Sequence, residues 1–143
     1  MNVASILKVK GAKVATTRPE ATIRTTIKRM KLDGIGSLVV SHDGSNIAGV
    51  IAECDILNGL AAHGAEGLQM RVAEFMTREG PTCLPTDSIK DVMATMTRHR
   101  VRHVPVVEDG TVGGIVSIGD VVKNRLEEME LEVNVLRDYA ATH

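Results

Sequence analysis

Aromatic residues are scarce in this chain: Trp is absent, and Phe and Tyr occur once each in 143 residues. The core must therefore be aliphatic. Cysteine is nearly as rare. Cys54 and Cys83 form no CxxC pair and no metal-ligand spacing, and no export signal precedes them, which fits a reducing, cytoplasmic setting. His42, His63, His99, His103 and His143 share no ligand spacing with one another or with the cysteines, so no metal site is expected. An excess of one charge is missing too. The formal net charge is −1 with both signs scattered, so nothing marks a general binder of nucleic acid or anionic membrane. No apolar run approaches the roughly 20 residues of a spanning helix. Met1-Asn2-Val3-Ala4-Ser5 lacks the basic and apolar regions of a signal peptide.

What is present is an ordinary globular composition, 43% hydrophobic and 24% charged. The length suffices for one domain or two small ones. The most informative stretch is 101–120. Two β-branched runs, 101–107 and 112–116, flank the turn signal Glu108-Asp109-Gly110-Thr111 and lead through Ser117-Ile118-Gly119-Asp120 into a helical pattern. The same unit occurs earlier, at 35–55. Residues 17–44 align without a gap on 83–110 at an offset of 66, and 49–56 align on 114–121 at an offset of 65. Identities fall at turn, strand and helix-start positions: Pro19/Pro85, Ile23/Ile89, Met30/Met96, Val40/Val106, Asp43/Asp109, Gly44/Gly110, Gly49/Gly114 and Asp55/Asp120. The one-residue slip lies at a hairpin tip, where length changes are best tolerated. The chain reads as a tandem duplication.

Each copy begins with a short helix, at 3–8 and 72–76, followed by an extended strand near 13–17 or 82–84 that ends at a proline. An amphipathic helix follows at 22–33 or 88–99, with Thr22 and Ser88 as N-caps. The hairpin comes next, and a second helix starts near Asp55 or Asp120. Each unit is thus β-α-β-β-α, a mixed α/β (α+β) fold. One such sheet alone leaves apolar surface in water, so two units should pack together. Pro105 interrupts a valine-rich strand, marking an edge or a place where the strand opens. From Val121 to about Tyr139 the helical pattern runs on. Val122, Leu126, Met129, Val133, Leu136 and Ala140 alternate four- and three-residue steps, the spacing of a coiled-coil seam. That helix either packs on its own domain or forms an intersubunit contact. The division expected is 1–67 for the first copy, 68–125 for the second and 126–143 for the helical extension.

A duplicated β-α-β-β-α unit, with Val104-Pro105-Val106-Val107 on a hairpin strand and Gly114-Ile115-Val116-Ser117-Ile118-Gly119-Asp120 after it, resembles the cystathionine-β-synthase (CBS) domain pair, or Bateman module. The resemblance covers roughly residues 2–125 and is nearest to stand-alone pairs. It implies two repeats packed sheet to sheet with pseudo-two-fold symmetry, two clefts between them, and a homodimer. It also implies a non-enzymatic role in which AMP, ADP, ATP, NAD(H) or S-adenosylmethionine binds as a regulatory ligand. No cofactor is required, and the signal passes to a protein partner that the sequence does not name.

On this resemblance Asp120 and Asp55 would accept the ribose hydroxyls, and Ser117 would approach a phosphate. The chemistry fits, because a carboxylate accepts two hydrogen bonds and a helix N-terminus attracts anions. The same Ser-x-x-Asp spacing also makes a capping box. The first copy has Ala52 in place of the hydroxyl residue. Arg102 and His103 are phosphate candidates by charge type, and strand alternation would send at most one of them into a given cleft. Gly36 and Ser37 stand in their places in the first copy, so the two clefts should be chemically unequal. Thr16, Thr17, Thr82 and Cys83 end the first strands of the copies, where family members meet adenine through the backbone. Two other classes compete. An enzyme such as the inosine-monophosphate dehydrogenases that carry CBS pairs would need a barrel of at least about 200 further residues. A dimeric scaffold with vestigial clefts remains as the alternative.

Overall fold

In a computed structural model of the chain, residues 1–11 and 13–142 are described. The elements run α1 (Val3–Lys10), β1 (Thr16–Thr17), α2 (Ile23–Asp33), β2 (Ser37–Val40), β3 (Gly49–Ala52), α3 (Glu53–His63), a 3-10 segment (Gly64–Gln69), α4 (Val72–Phe75), α5 (Ile89–His99), β4 (His103–Glu108), β5 (Thr111–Ser117) and α6 (Ile118–Thr142). The duplication is visible bond by bond. Thr22 and Ser88 cap α2 and α5 by accepting the Thr25 and Asp91 N–H groups at 3.2 and 3.0 Å. Both helices then stop on a left-handed residue, Gly34 at φ 64° and Arg100 at φ 54°. Glycine adopts that backbone freely, whereas for arginine it costs roughly 1–2 kcal/mol.

The short helices change places. α1 opens the first copy in sequence, yet Val3 and Ile6 belong to the core of the second, among Ile89, Val92, Met96, Val104, Val106, Val116 and Val121. α4 does the reverse, putting Val72 and Phe75 into the first core with Ile23, Met30, Leu38, Val40, Ile51 and Ile56. Backbone bonds fix both dockings at matching positions. Val3 and Ala4 donate to the Asp87 and Pro85 carbonyls, each at 2.9 Å, and Val72 and Ala73 donate to those of Ala21 and Pro19 at 2.8 and 3.0 Å. Neither copy closes its core alone. Two repeated glycines make the docking possible. A Cβ at Gly49 would lie 2.6 Å from the Thr77 carbonyl oxygen, and one at Gly114 would lie 2.6 Å from Leu7 Cδ2.

The sheets differ. In the first copy β1 runs parallel to β2, which pairs antiparallel with β3. In the second copy only β4 and β5 pair, and the strand expected at 82–84 is reduced to a single parallel bridge between Cys83 and Val106. The cause is Pro105. Its counterpart Val39 donates its N–H to the Ala15 carbonyl at 3.2 Å, but proline has no N–H to offer position 81. The segment before Cys83 is released from the sheet, and β4 is an edge of a two-stranded sheet, so both readings of Pro105 apply.

Beyond the second repeat, α6 runs for 25 residues, about 37 Å at 1.5 Å per residue. Val121 and Asn124 face the body, and from residue 129 onward every described residue of the helix is exposed. No helix among the described residues is long and apolar enough to cross a membrane. His143 lies outside the described residues.

Candidate functional site

A cavity of about 570 Å³ lies between the two repeats. One wall comes from the first copy: Gly36, the end of β3 and the first turn of α3, with Ala52, Glu53, Cys54 and Asp55. The other comes from the second copy, where Arg100, Val101, Arg102, His103 and Pro105 precede and begin β4. Thr77, Gly80 and the released Pro81 close one side. The first copy therefore contributes acidic residues to the lining, and the second copy contributes arginines.

Arg102 and His103 both border this cavity. The alternation argument holds within a strand, but β4 starts at His103 and Arg102 lies before it. Arg100 borders the cavity as well. Its left-handed backbone turns the chain at the cavity rim, where the first copy has Gly34.

His103 sits where the repeats meet. A Cβ on Gly36 would stand 3.3 Å from His103 Cε1 and 3.2 Å from Glu53 Oε1, so the missing side chain lets these two approach. Burial lowers the imidazole pKa below its usual 6.5, and the Lys10 and Arg102 charges lower it further, while Glu53 and Asp120 pull the other way. At neutral pH the ring is neutral, with one donor and one acceptor nitrogen.

The two motif aspartates meet different partners. Asp55 Oδ2 accepts the Ala52 N–H at 2.8 Å, and Asp55 Oδ1 accepts the Thr77 hydroxyl at 3.0 Å. Thr77 also pairs its backbone with Val50, exchanging both bonds at 2.9 Å. In the second copy Asp120 Oδ2 accepts the Ser117 N–H at 2.9 Å, and Ser117 Oγ accepts the Asp120 N–H at 3.2 Å, so the capping box is formed. Lys10 takes Thr77's place there. Its ammonium donates to Asp120 Oδ2 at 2.7 Å and to the carbonyl of Ile115, the counterpart of Val50, at 2.9 Å. Burial alone would raise the Asp120 carboxyl pKa, but the Lys10 and Ser117 hydrogen bonds outweigh it and hold it below the usual value. The second carboxylate thus carries a cation from its own chain.

The other sequence candidates lie apart. Thr16 and Thr17 line a shallower hollow of about 740 Å³ with Arg18, Arg29, His42 and Asp43, and the Thr17 carbonyl accepts the Ser41 N–H at 2.9 Å. Thr82 is exposed. Cys83 is buried, with its N–H bonded to the Pro105 carbonyl and its own carbonyl to the Val107 N–H, each at 2.9 Å. Burial, then the Asp87 charge, push its thiol pKa up to about 12, so it stays protonated in the core. Thr82, Cys83, Ser117 and Asp120 are not among the residues lining either hollow. Asp55, Arg102 and His103 are the candidates that the fold brings together. No signal in the sequence pointed to Thr77 or Lys10, since each is defined by an acceptor on a distant segment.

The chain matches the CBS domain twice, at residues 8–62 and 72–127. It is 34% identical over 122 residues to the mitochondrial CBS domain-containing protein CBSX3 of Arabidopsis thaliana, covering 82% of this chain and 59% of that protein. Among solved structures it resembles the CBS-domain protein ATU1752 of Agrobacterium tumefaciens, with a TM-score of 0.84 and 37% identity over 87% of this chain and 99% of that one. It also resembles the CBS domain pair of protein MJ0100, solved in complex with 5′-methylthioadenosine and S-adenosyl-L-methionine. There the TM-score is 0.76 and the identity 25%, over 86% of this chain and 98% of that one. With two matched repeats, each completed by the other's short helix, this chain belongs to the CBS-domain family as a tandem pair followed by a long C-terminal helix.

Proposed function

We propose that the chain is a non-catalytic regulatory module that binds an adenosine-containing ligand in the Asp55 cavity and passes the signal to a partner protein, with two copies of the chain as the working unit. The observation that carries this reading is the cavity's lining, which takes acidic residues from one repeat and two arginines from the other. Ribose hydroxyls would donate to Asp55, displacing the neutral Thr77 hydroxyl, while Arg100 and Arg102 would take phosphate oxygens through their planar donor forks. A volume of about 570 Å³ lies within the range of small-molecule sites. MJ0100 binds two adenosyl compounds without phosphate. The paired arginines here favour a phosphate-bearing member of that class, such as AMP, ADP, ATP or NAD(H), over a sulfonium cation.

A scaffold with vestigial clefts is the second reading, and the Lys10–Asp120 pair is the observation in its favour, since it occupies one carboxylate with the chain's own cation. Thermal unfolding separates the two. Circular dichroism is the suitable probe because the chain has no Trp and one Tyr. A ligand that binds only the folded chain, present at about 100 times its dissociation constant, adds roughly 2.7 kcal/mol. Such a shift with a nucleotide, reduced by Asp55→Asn, is the expected result. No shift with any of the adenosine compounds at millimolar concentration would leave the scaffold reading.

A further inference from the structure

The outer part of α6 presents an apolar stripe that no described part of the chain covers. Val122, Leu126, Met129, Val133 and Leu136 are each between 46% and 67% exposed. At about 100° per residue, this stripe lies about 120° around the helix from Val121, Asn124 and Glu128, the positions turned toward the body. The helix is therefore docked by one face and presents a second, apolar face to solvent. Packing on its own domain, one of the two readings open from the sequence, accounts only for the first turns.

Charges beside the stripe say what would cover it. Leu126, Val133 and Ala140 take the first core position of the heptad, and Val122, Met129 and Leu136 the second. Arg125 and Glu132 then flank the seam on one side, with Lys123, Glu130 and Arg137 on the other. If a second copy lies parallel and in register, each residue of the first set meets the residue five places on in its partner. Those pairs are Arg125 with Glu130 of the other copy, and Glu132 with Arg137 of the other copy. Both are opposite in charge, and symmetry repeats each one. An antiparallel pairing that stacks Leu126 on Leu136 instead sets Glu130 against Glu130, Glu132 against Glu132 and Lys123 against Arg137. All three are repulsive. Arg125 is bonded to Glu128 of its own helix at 2.8 Å, and the chain's amino terminus lies 3.9 Å from the same carboxylate, so Glu128 keeps a partner when Arg125 turns across.

We propose that α6 joins two copies of this chain as a short parallel, in-register coiled coil over residues 122–140. The occupant of the apolar stripe is the same stripe on a second copy, and the two repeat bodies lie side by side at its amino-terminal end. A seam of fewer than three heptads is marginal by itself, so the dimer dissociates on dilution. Ligand binding in the cavity plays no part in this contact.

Sedimentation equilibrium of the full chain, over a concentration series reaching hundreds of micromolar, tests the proposal. The expected result is a monomer–dimer equilibrium that Leu126→Glu with Val133→Glu abolishes, while circular dichroism shows the body still folded. Arg125→Glu, and separately Glu130→Arg, should each raise the dissociation constant about tenfold, because each reverses two symmetry-related pairs. The double variant should return to near the parent value. A chain that stays monomeric throughout overturns the proposal, as does a dimer that survives both seam charges. An Arg125→Glu variant that dimerises as tightly as the parent overturns the parallel arrangement, because the antiparallel register does not set Arg125 against Glu130.

Discussion

The Asp55 and Asp120 ends of the molecule descend from one repeated unit and share a backbone frame, yet they have parted in chemistry. Each aspartate accepts the N–H three residues before it, at 2.8 and 2.9 Å. Each then meets a side chain from the end of a short helix or just beyond one. At Asp55 that side chain is Thr77, a neutral hydroxyl that an incoming hydroxyl replaces like for like. At Asp120 it is Lys10, an ammonium bonded to both the carboxylate and the Ile115 carbonyl. A ribose must break an ion pair there to gain the same two bonds. The opposite walls diverge as well. Arg100, Arg102 and His103 face the Asp55 cavity, and their counterparts in the first copy are Gly34, Gly36 and Ser37. Duplication followed by divergence of a few side chains has left one open, charged cleft and one carboxylate held by its own chain.

That contrast breaks most readily at the arginines. Replacing Arg100 and Arg102 together by Ala should weaken binding of a phosphate-bearing nucleotide by at least tenfold, since a hydrogen bond to a charged group contributes about 1.5–3 kcal/mol. A titration followed by calorimetry measures this. Arg100→Gly alone sharpens the same point. It removes the left-handed strain and should raise stability by up to about 1 kcal/mol in thermal melts while weakening the nucleotide. A gain in stability with no change in affinity would assign Arg100 to the helix end only.

The smallest effect is expected from His103. Its folded pKa is depressed, so between the unfolded value near 6.5 and the lower folded value the unfolded chain binds the extra proton. Stability should therefore fall as pH drops below 6.5, and be fully regained above it. His103→Gln should flatten the melting temperature over that window. Asp120 adds a loss of the same sign at lower pH, because its folded pKa is also depressed. An unchanged slope in the His103 variant would show that another group carries the titration.

Most of this fold could be read from spacing. The offset of 66 finds its counterparts in bonds: the Thr17 carbonyl accepts Ser41 N–H as that of Cys83 accepts Val107 N–H. The N-caps at Thr22 and Ser88 fell where hydroxyls precede a 3.6-residue pattern. What spacing missed is what depends on the third dimension. The exchange of α1 and α4 leaves no mark in either helix, since an apolar face does not name the core that it enters. Lys10 finds Asp120 at a separation of 110 residues. The shortened strand at 82–84 was legible in principle, since it follows from the N–H that Pro105 lacks and Val39 supplies.

In the proposed arrangement the Asp55 cavity is open to ligand while Lys10 holds the Asp120 carboxylate. Calorimetric titration of the parent chain and of Lys10→Met, with the nucleotide that most stabilises the fold, tests it most directly. Removing a partly exposed ion pair should cost at most about 1 kcal/mol of stability, so both proteins should stay folded. The account predicts one ligand per parent chain, bound through Asp55, and a second, weaker one when Lys10 is gone. Two equivalent ligands on the parent chain, or a single one lost with Asp120→Asn and kept with Asp55→Asn, would contradict it.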